Sequence, residues 1–291
     1  MTIKFNADLV DDVARRRVVL FVGAGASRWA KPAGGGSFKD WKQFLNHACS
    51  RATNRRIQKI VRNLIDNQEY LLASELLKSN LSDQWLSLLT AEFQQAAEIS
   101  RLHKALIHLD PRLIVTTNFD KLIETAWGQD SGASYPTVVT AIESSIFRLF
   151  RDDEKYLIKL HGPIDSPQNI VFDTTSYQSS AFSNRYYVEM LATLLLTHTF
   201  LFVGFSMADP AVAMIVENAA YRFPSNRPHY IFQPGTATPE VDELWKKLRK
   251  LYVLRYSDAD NHVALAEQIE ALGAAAISRR SELAATVLGR K

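Results

Sequence analysis

The sequence predicts an α/β protein with a doubly wound, mainly parallel six-stranded Rossmann-like sheet and an inserted helical lobe. Short apolar segments rich in β-branched and aromatic residues recur along the chain, and most are continuous, as in strands buried on both faces. Segments with helical periodicity lie between many of them, which is typical of βαβ units. The predicted strands are VVLFV from 18, LIVT from 113, YLIKL from 156, FLFV from 200, HYIF from 229 and LYVLRY from 251.

Helical segments account for most of the remaining chain. We expect a first helix over Ala7 to Arg16, with Asn6 as its N-cap, directly before the first strand. The stretch from about 40 to 109 predicts several helices and no convincing strand, and it is too long for a simple crossover between two strands. We therefore expect a single α/β domain over 1–291, with a helical insertion at about 40–109 and a C-terminal helical tail at about 262–291.

Composition narrows the class of protein. The 291 residues are 47% hydrophobic and 22% charged, which is ordinary for a globular chain and argues against disorder. The net charge of +3 is too small to indicate nucleic acid as a ligand. The single cysteine, Cys49, excludes an internal disulfide and a four-cysteine zinc site. The start of the chain shows no cleavable leader and no apolar run reaches membrane-spanning length, so we expect a soluble cytoplasmic protein without direct membrane contact.

Small or polar residues follow four of the predicted strands. Ligands of open parallel sheets bind beyond the carboxyl ends of the strands, so these residues are the candidates for a binding site. The four groups are Gly23-Ala24-Gly25-Ala26-Ser27, Asn118-Phe119-Asp120, His161-Gly162, and Gly204-Phe205-Ser206 followed by Asp209. Their shared position predicts one site suited to a sugar phosphate.

The first of these turns does not fit the common nucleotide-binding motifs. Arg28 occupies the place of the third glycine of a Rossmann fingerprint, and no Walker A lysine follows. The turn is nevertheless expected to offer free backbone N–H groups beside a helix start, which favours an anion such as pyrophosphate. The alternative is a Gly-Ala-Gly turn that only lets the chain bend.

His161 and Asn118 are the candidates for catalysis. Histidine can act as a general base toward water or a hydroxyl near neutral pH. The Asn118 amide can orient water or hydrogen-bond a ribose hydroxyl without adding charge. The alternatives are a histidine that only satisfies a strand end, and an Asn118–Asp120 pair that only caps the next helix, KLIETAW.

The blocks GAGAS, TTNFD, KLHG and VGFSMAD, in this order, resemble the NAD-binding core of the sirtuin family. Within that family, the chain resembles the NAD-hydrolysing sirtuin-like effectors of bacterial antiphage defence. The resemblance covers about Val18 to Ser27 and Leu113 to Asp209. It implies His161 as catalytic base and Asn118 as its catalytic partner. It also implies residues that line the nucleotide: Gly23, Ala24, Gly25 and Ser27 at the phosphates and adjoining ribose, Asn118, Thr117 and Asp120 toward nicotinamide and its ribose, and Gly204 and Ser206 at the adenosine half.

Three departures from the family shift the expected activity. Deacylating sirtuins carry a four-cysteine zinc ribbon, and this chain has one cysteine, so we expect no zinc. Thr117 stands where the family usually has glutamine, and no strand pair suited to gripping an acyl-lysine peptide is evident. We therefore expect hydrolysis of NAD to nicotinamide and ADP-ribose. The alternatives are a sirtuin-type protein deacylase or ADP-ribosyltransferase, and a non-catalytic module that senses NAD or ADP-ribose.

An enzyme that destroys NAD endangers its own cell, so its activity should be gated. The helical insertion and the C-terminal tail offer surfaces for self-assembly or for a separate sensor. We expect a homo-oligomer, and by the same resemblance a HerA-like ATPase or another phage-sensing subunit as partner.

Overall fold

The computed structural model describes residues 4–130, 134–236 and 238–288. Within them, seven parallel strands form one sheet in the order β5-β6-β4-β1-β7-β8-β9, and a separate antiparallel pair joins β2 to β3. The strands are β1 Val18–Val22, β2 Lys31–Pro32, β3 Ala97–Glu98, β4 Leu113–Thr116, β5 Thr137–Val139, β6 Tyr156–Lys159, β7 Thr199–Val203, β8 His229–Pro234 and β9 Leu251–Tyr256. The predicted fold class is confirmed.

The predicted number of strands was wrong by one in this sheet. All six predicted segments form strands, and β5 adds a seventh at the edge, paired in parallel with β6 through Thr137 and Tyr156. β5 is only three residues long and half exposed, so it shows none of the continuous apolar character that identified the other six. The sequence therefore did not predict this strand.

Thirteen α-helices lie within the described residues. They are α1 Ala7–Ala14, α2 Ala24–Ser27, α3 Trp41–Arg51, α4 Arg55–Asp66, α5 Tyr70–Leu81, α6 Asp83–Phe93, α7 Arg101–His108, α8 Leu122–Gln129, α9 Thr174–Tyr177, α10 Arg185–Thr197, α11 Pro210–Arg222, α12 Pro239–Arg249 and α13 Ala259–Leu288. As predicted, the Asn6 side chain caps α1, accepting from the Asp8 amide at 2.8 Å, but the helix ends two residues early because Arg16 adopts a left-handed φ of 56°. In the part of the chain that is described, no helix is both long and apolar enough to cross a membrane.

The central strands are buried on both faces by two layers of helices. Along β1, Val18, Leu20 and Val22 join the hydrophobic cluster formed with α1, α7, α8 and α13, whereas Val19 and Phe21 join the cluster formed with α10 and α11. Successive residues of a strand point to opposite faces, so a strand covered on both sides must be apolar throughout. This explains the unbroken run VVLFV.

The helices between residues 40 and 109 divide between two places. α3, α4, α5 and α6 pack around a hydrophobic cluster of their own that includes Phe44, Leu77 and Trp85. α7 instead packs against the sheet, where Leu102 and Leu106 are buried in the cluster shared with α1 and α13. We call α3–α6 the helical lobe.

The C-terminal helix α13 covers one face of the domain. It packs against α1 and α7, and Leu265, Ile269 and Leu272 are buried in the same cluster as β1. Arg280 donates to the backbone carbonyls of Ala14 and Leu109, which joins the far part of the helix to the same layer. The alanine-rich tail therefore completes the core of this chain.

We predict that truncating Ile269 destabilises the whole domain. Ile269 is fully buried, and replacing a buried isoleucine by alanine costs about 2–5 kcal/mol. The matched control is Ile277→Ala on the same helix, because Ile277 is 58% exposed and its truncation should change the free energy of unfolding by less than about 0.5 kcal/mol. Urea denaturation of both variants measures the difference. Equal stabilities would contradict the packing of α13 described above.

Candidate active site

Four strand ends meet at the carboxyl edge of the sheet. β6, β4, β1 and β7 are consecutive neighbours and all run in parallel, so the residues that follow them lie side by side. These are the four groups that the sequence singled out. Five of the polar side chains concerned are only 5–7% exposed: Ser27, Asn118, Asp120, His161 and Asp209.

Glycines join the turn after β1 to the turn after β7. The Gly23 amide donates to the Val203 carbonyl and the Gly25 amide to the Gly204 carbonyl, each at 2.9 Å. A Cβ at Gly23 would lie 2.5 Å from the Gly204 oxygen, and one at Gly25 would lie 2.8 Å from it. Gly204 itself has a φ of +62°, and a Cβ there would lie 2.4 Å from the Ala26 nitrogen. These three glycines form what we call the glycine seam.

The glycine seam corrects one expectation about the first turn. The sequence suggested free backbone N–H groups there, but those of Gly23 and Gly25 are already bonded to β7 and the turn that follows it. The turn after β7 lies so close to the turn after β1 that no side chain fits between them. The glycines are therefore required by the contact between two turns, whatever ligand lies beyond them.

A chain of hydrogen bonds fixes Asn118. Its Nδ2 donates to the Gly23 carbonyl at 3.1 Å and to Ser27 Oγ at 2.9 Å, and Ser27 in turn donates to Asp120 Oδ2 at 2.6 Å. Its backbone amide donates to Thr116 Oγ1, which donates to the Val22 carbonyl. The opposite amide orientation would place two oxygens against each other at Gly23, so the network determines which atom is Nδ2.

The remaining side-chain polar atom of Asn118, Oδ1, has no partner in the part of the chain that the structure describes. Oδ1 is buried and accepts no hydrogen bond within the described residues. Leaving a buried acceptor unsatisfied costs about 1–3 kcal/mol, so such an atom needs an explanation. A ligand hydroxyl or a water molecule would supply the missing donor.

Asp120 is held by groups from three directions. Its Oδ1 accepts from the Leu122 amide at 3.0 Å, an Asx-type contact that ties it to the first residue of α8, whose N-cap is Lys121. The ammonium of buried Lys159 contacts the Asp120 carbonyl and pairs with Glu124 at 2.7 Å. Sequence reasoning missed Lys159, although a lysine inside the apolar segment YLIKL was a usable signal.

His161 lies beside a second buried carboxylate. Its Nε2 is 3.1 Å from Asp209 Oδ2, within ion-pair distance but not aligned to donate a hydrogen bond, and Nε2 has no other partner among the described residues. The Tyr177 hydroxyl donates to the same Asp209 oxygen at 2.6 Å, and the Tyr177 ring meets the His161 ring edge-on with centroids 5.0 Å apart. Phe119, next to Asn118, lies 6.5 Å from the His161 ring.

The electrostatics of this pair follow from burial and contact. Burial alone raises the pKa of the Asp209 carboxyl, but the neighbouring His161, the Tyr177 hydroxyl and the Val212 amide outweigh it and hold the pKa below its ordinary value. Burial and then the charge of Asp209 raise the pKa of the Tyr177 hydroxyl well above its ordinary value. Asp209 is thus an anion and Tyr177 a neutral donor at neutral pH.

The sequence placed Asp209 among the residues after β7 that border the predicted site but gave it no role of its own, and it did not single out Tyr177. Asp209 follows β7 and precedes Pro210, so it looks like an ordinary N-cap, and it does cap α11 by accepting from the Val212 amide at 3.0 Å. Tyr177 lies far from any strand end in the sequence, and no local sequence pattern predicts its contact with Asp209.

The other candidate residues lie nearer the surface. Ala24 and Ser206 are exposed, and Thr117 and Gly204 are partly buried at the same edge of the sheet. Ala24 to Ser27 form the short helix α2, with Gly23 as its N-cap. The helical lobe borders this edge, because Phe119 and Phe172 belong to its hydrophobic cluster.

A depression of about 870 Å³ lies at the opposite edge of the sheet, where the strands begin. Its lining includes Asp110 and the two basic residues that pair with it, Arg16 and Lys155. None of the sequence-predicted site residues lines it. The carboxyl edge therefore remains the candidate site.

Comparison with known proteins supports a family relationship for this architecture. A family model described as a SIR2-like domain matches residues 112–254, which include Asn118, His161 and Asp209. The chain is 24% identical over 240 residues to NAD(+) hydrolase ThsA of Bacillus cereus (strain MSX-D12), covering 81% of this chain and 47% of that protein. It is 26% identical over 223 residues to the protein of the same name from Acinetobacter baumannii (strain 532279), covering 76% and 43%.

A further relative is named for defence. The chain is 26% identical over 128 residues to Defense-associated sirtuin 2 of Bacillus subtilis, covering 43% of this chain and 12% of that protein. The chain spans less than half the length of each of these three relatives. Over residues 112–254 the chain is similar to SIR2-like domains, and it is homologous to the ThsA NAD(+) hydrolases and to a defence-associated sirtuin.

Proposed function

We propose that this chain hydrolyses NAD to nicotinamide and ADP-ribose. The observation that carries the proposal is the pairing of two buried groups at adjacent strand ends of a SIR2-like domain: Asn118, whose Oδ1 has no partner, and His161. Each has one buried side-chain atom, Asn118 Oδ1 or His161 Nε2, without a hydrogen-bonding partner among the described residues, and each is held in place by neighbouring groups. Relatives over most of the chain are named NAD(+) hydrolases, which supports the same assignment.

The reaction requires little from the protein besides positioning. The oxygen of a water molecule bonds to C1′ of the nicotinamide ribose, and the bond from C1′ to the pyridinium nitrogen breaks with its electron pair remaining on nicotinamide. One water proton passes to His161, and ADP-ribose keeps the new hydroxyl. The leaving group departs as a neutral amide, so the site must stabilise the developing positive charge on the ribose and admit one water.

Each candidate residue has a place in this proposal. His161 acts as general base, and Asn118 Oδ1 accepts a hydrogen bond from the attacking water or a ribose hydroxyl. Ser27 and Asp120 orient Asn118 through the hydrogen bonds described above. The remaining candidates border the nucleotide: Gly23, Ala24 and Gly25 at the phosphates, Thr117 near nicotinamide, and Gly204 and Ser206 at the adenosine half.

We predict that His161→Ala lowers kcat by about 10²- to 10⁴-fold while NAD still binds, because general base catalysis is lost and most contacts remain. Asn118→Ala should give a loss of similar size. His108→Ala is the matched control, because His108 is exposed and distant from this edge, and it should keep full activity. The measurement is nicotinamide and ADP-ribose release from NAD by chromatography, with binding followed by calorimetry.

Other outcomes would assign other functions. Nicotinamide release only in the presence of an acylated peptide would indicate a deacylase or transferase. Tight NAD binding without turnover, both in the purified protein and in infected cells that express it, would indicate a sensing module.

We also propose that the activity serves antiphage defence and is gated. The name of the B. subtilis relative supports the defence role. Gating would come from self-association and from a phage-sensing partner such as a HerA-like ATPase, acting on a cytoplasmic enzyme.

Self-association is supported by the surface of α12. None of its residues is fully buried, and Val241, Leu244 and Leu248 are 42%, 51% and 57% exposed at i, i+3 and i+7. Such an apolar stripe on an outer helix is typical of an interface. The occupant that fits it is α12 of a second copy in antiparallel orientation, because α12 is acidic in its first turn and basic in its last. Each acidic end would then meet a basic end.

We predict that Leu244→Glu weakens self-association at least tenfold, whereas Leu72→Glu, at a similarly exposed position on α5, leaves it unchanged. Glu240→Lys and Lys247→Glu should each weaken association, and the two together should restore it, because both charges exchange across the twofold axis. The acidic start and basic end of α12 also suit its helix dipole, so each single exchange would weaken the helix itself as well as the interface. Only pairing between two copies predicts that the double exchange restores association. Sedimentation velocity measures the oligomeric state, and a monomeric wild-type protein would refute the interface.

A further inference from the structure

Asp209 is a buried carboxylate with a defined set of partners. It is 6% exposed, accepts from the Tyr177 hydroxyl at 2.6 Å and from the Val212 amide at 3.0 Å, and lies 3.1 Å from His161 Nε2. It also caps the N-terminus of the thirteen-residue helix α11, where the helix dipole favours a negative charge. The carboxylate is thus stabilised as an anion from three directions.

Within the described part of the chain, no lysine or arginine lies within ion-pair distance of this carboxylate. Among the described residues the only basic group within ion-pair distance of Asp209 is His161. Burial and then the charge of Asp209 raise the pKa of the Tyr187 hydroxyl well above its ordinary value, so that hydroxyl too is a neutral group. An imidazole is the one type of side chain here that ordinarily gains a proton between pH 5 and 8. His161 is therefore the neighbour whose positive charge, once it accepts a proton, Asp209 can balance.

We infer that Asp209 is the positioning residue of His161: it holds Nε2–H toward the carboxylate, leaves Nδ1 to accept a proton, and stabilises the imidazolium that results. The inference rests on the proposed NAD hydrolysis. When water attacks C1′ of the ribose, the released proton goes to Nδ1, and the new positive charge lies beside an anion already in place. A slight rotation of the ring aligns Nε2–H with Oδ2. A base oriented by a third group is a recurring arrangement in enzymes that activate a hydroxyl or water.

Tyr177 has a supporting part in the same arrangement. Its hydroxyl occupies one side of Oδ2, and its ring packs edge-on against the imidazole, so it limits the motion of both partners. Because its hydroxyl stays protonated, it donates to Asp209 throughout and does not compete for the proton.

Asp209→Asn removes the negative charge while it preserves the shape of the side chain and the fold. Asparagine is as good an N-cap as aspartate, so α11 keeps its cap through Oδ1 and Val212. The amide NH₂ then faces His161 and Tyr177 and donates to Nε2, which forces the imidazole into the Nδ1–H form. Nδ1 can then no longer accept a proton, and we expect kcat to fall by about 10²- to 10⁴-fold with KM changed less than about threefold.

Two controls complete the design. Tyr177→Phe keeps the ring but removes one donor, and it should lower kcat by less than Asp209→Asn does, because the carboxylate remains. Asp66→Asn, an exposed aspartate at the end of α4, should leave kcat unchanged. Thermal denaturation of every variant checks that the fold is retained.

Nitrogen NMR of histidine-labelled protein reports the tautomer of His161 without any turnover. We expect Nε2–H in the wild type and Nδ1–H in Asp209→Asn, with His161→Ala identifying the signal. The same tautomer in both proteins, or a wild-type kcat in Asp209→Asn, would overturn the inference. If the wild type consumes no NAD, the proposed function fails, and the tautomer still decides whether Asp209 positions His161.

Discussion

The candidate site depends on the close contact of two backbone turns, the ones that follow β1 and β7. The glycine seam sets their distance, since a single added Cβ would lie 2.4–2.8 Å from backbone atoms of the opposite turn. That distance places Gly23 and Ser27 where both can accept from Asn118 Nδ2. The orientation of the Asn118 amide, and with it the open Oδ1, therefore follows from the seam rather than from any contact of Asn118 with its own helix.

The segment after β7 serves the second half of the site as well. Gly204 forms the seam, and Asp209, five residues later, begins α11 and lies beside His161. The segment that follows β7 thus fixes the position of Asn118 indirectly, through the glycine seam, and that of His161 directly, through Asp209. Asn118 follows β4 and His161 follows β6, so the shared support comes from strands to which neither residue belongs. A substitution that shifted the turn after β7 would disturb both side chains at once.

The sequence allowed prediction of features that depend on local pattern. Continuous apolar runs identified six strands because burial on both faces demands them, and parallel order placed Asn118, His161 and Gly204 at one edge. It did not reveal β5, whose three residues show no such run, nor the contact of Asp209 with His161 and Tyr177, which joins positions far apart in the chain. The glycines were correctly placed but assigned free amides, because pattern alone cannot distinguish close approach to a ligand from close approach to another turn.

The helical lobe and the site share one hydrophobic core. The lobe cluster of Phe44, Trp85 and Leu77 continues into Phe119 and Phe172, and Phe119 lies between Asn118 and Asp120 in the chain. The aromatic rings of Phe44, Phe93 and Phe119 each contact Phe172 or one another with centroids 5.4–5.5 Å apart. Closely packed cores do not deform gradually, so displacement of the lobe would move Phe119 and the turn that carries Asn118. Any partner that acted on α3–α6 would therefore act on the site through packing alone, with no need for a mobile segment between them.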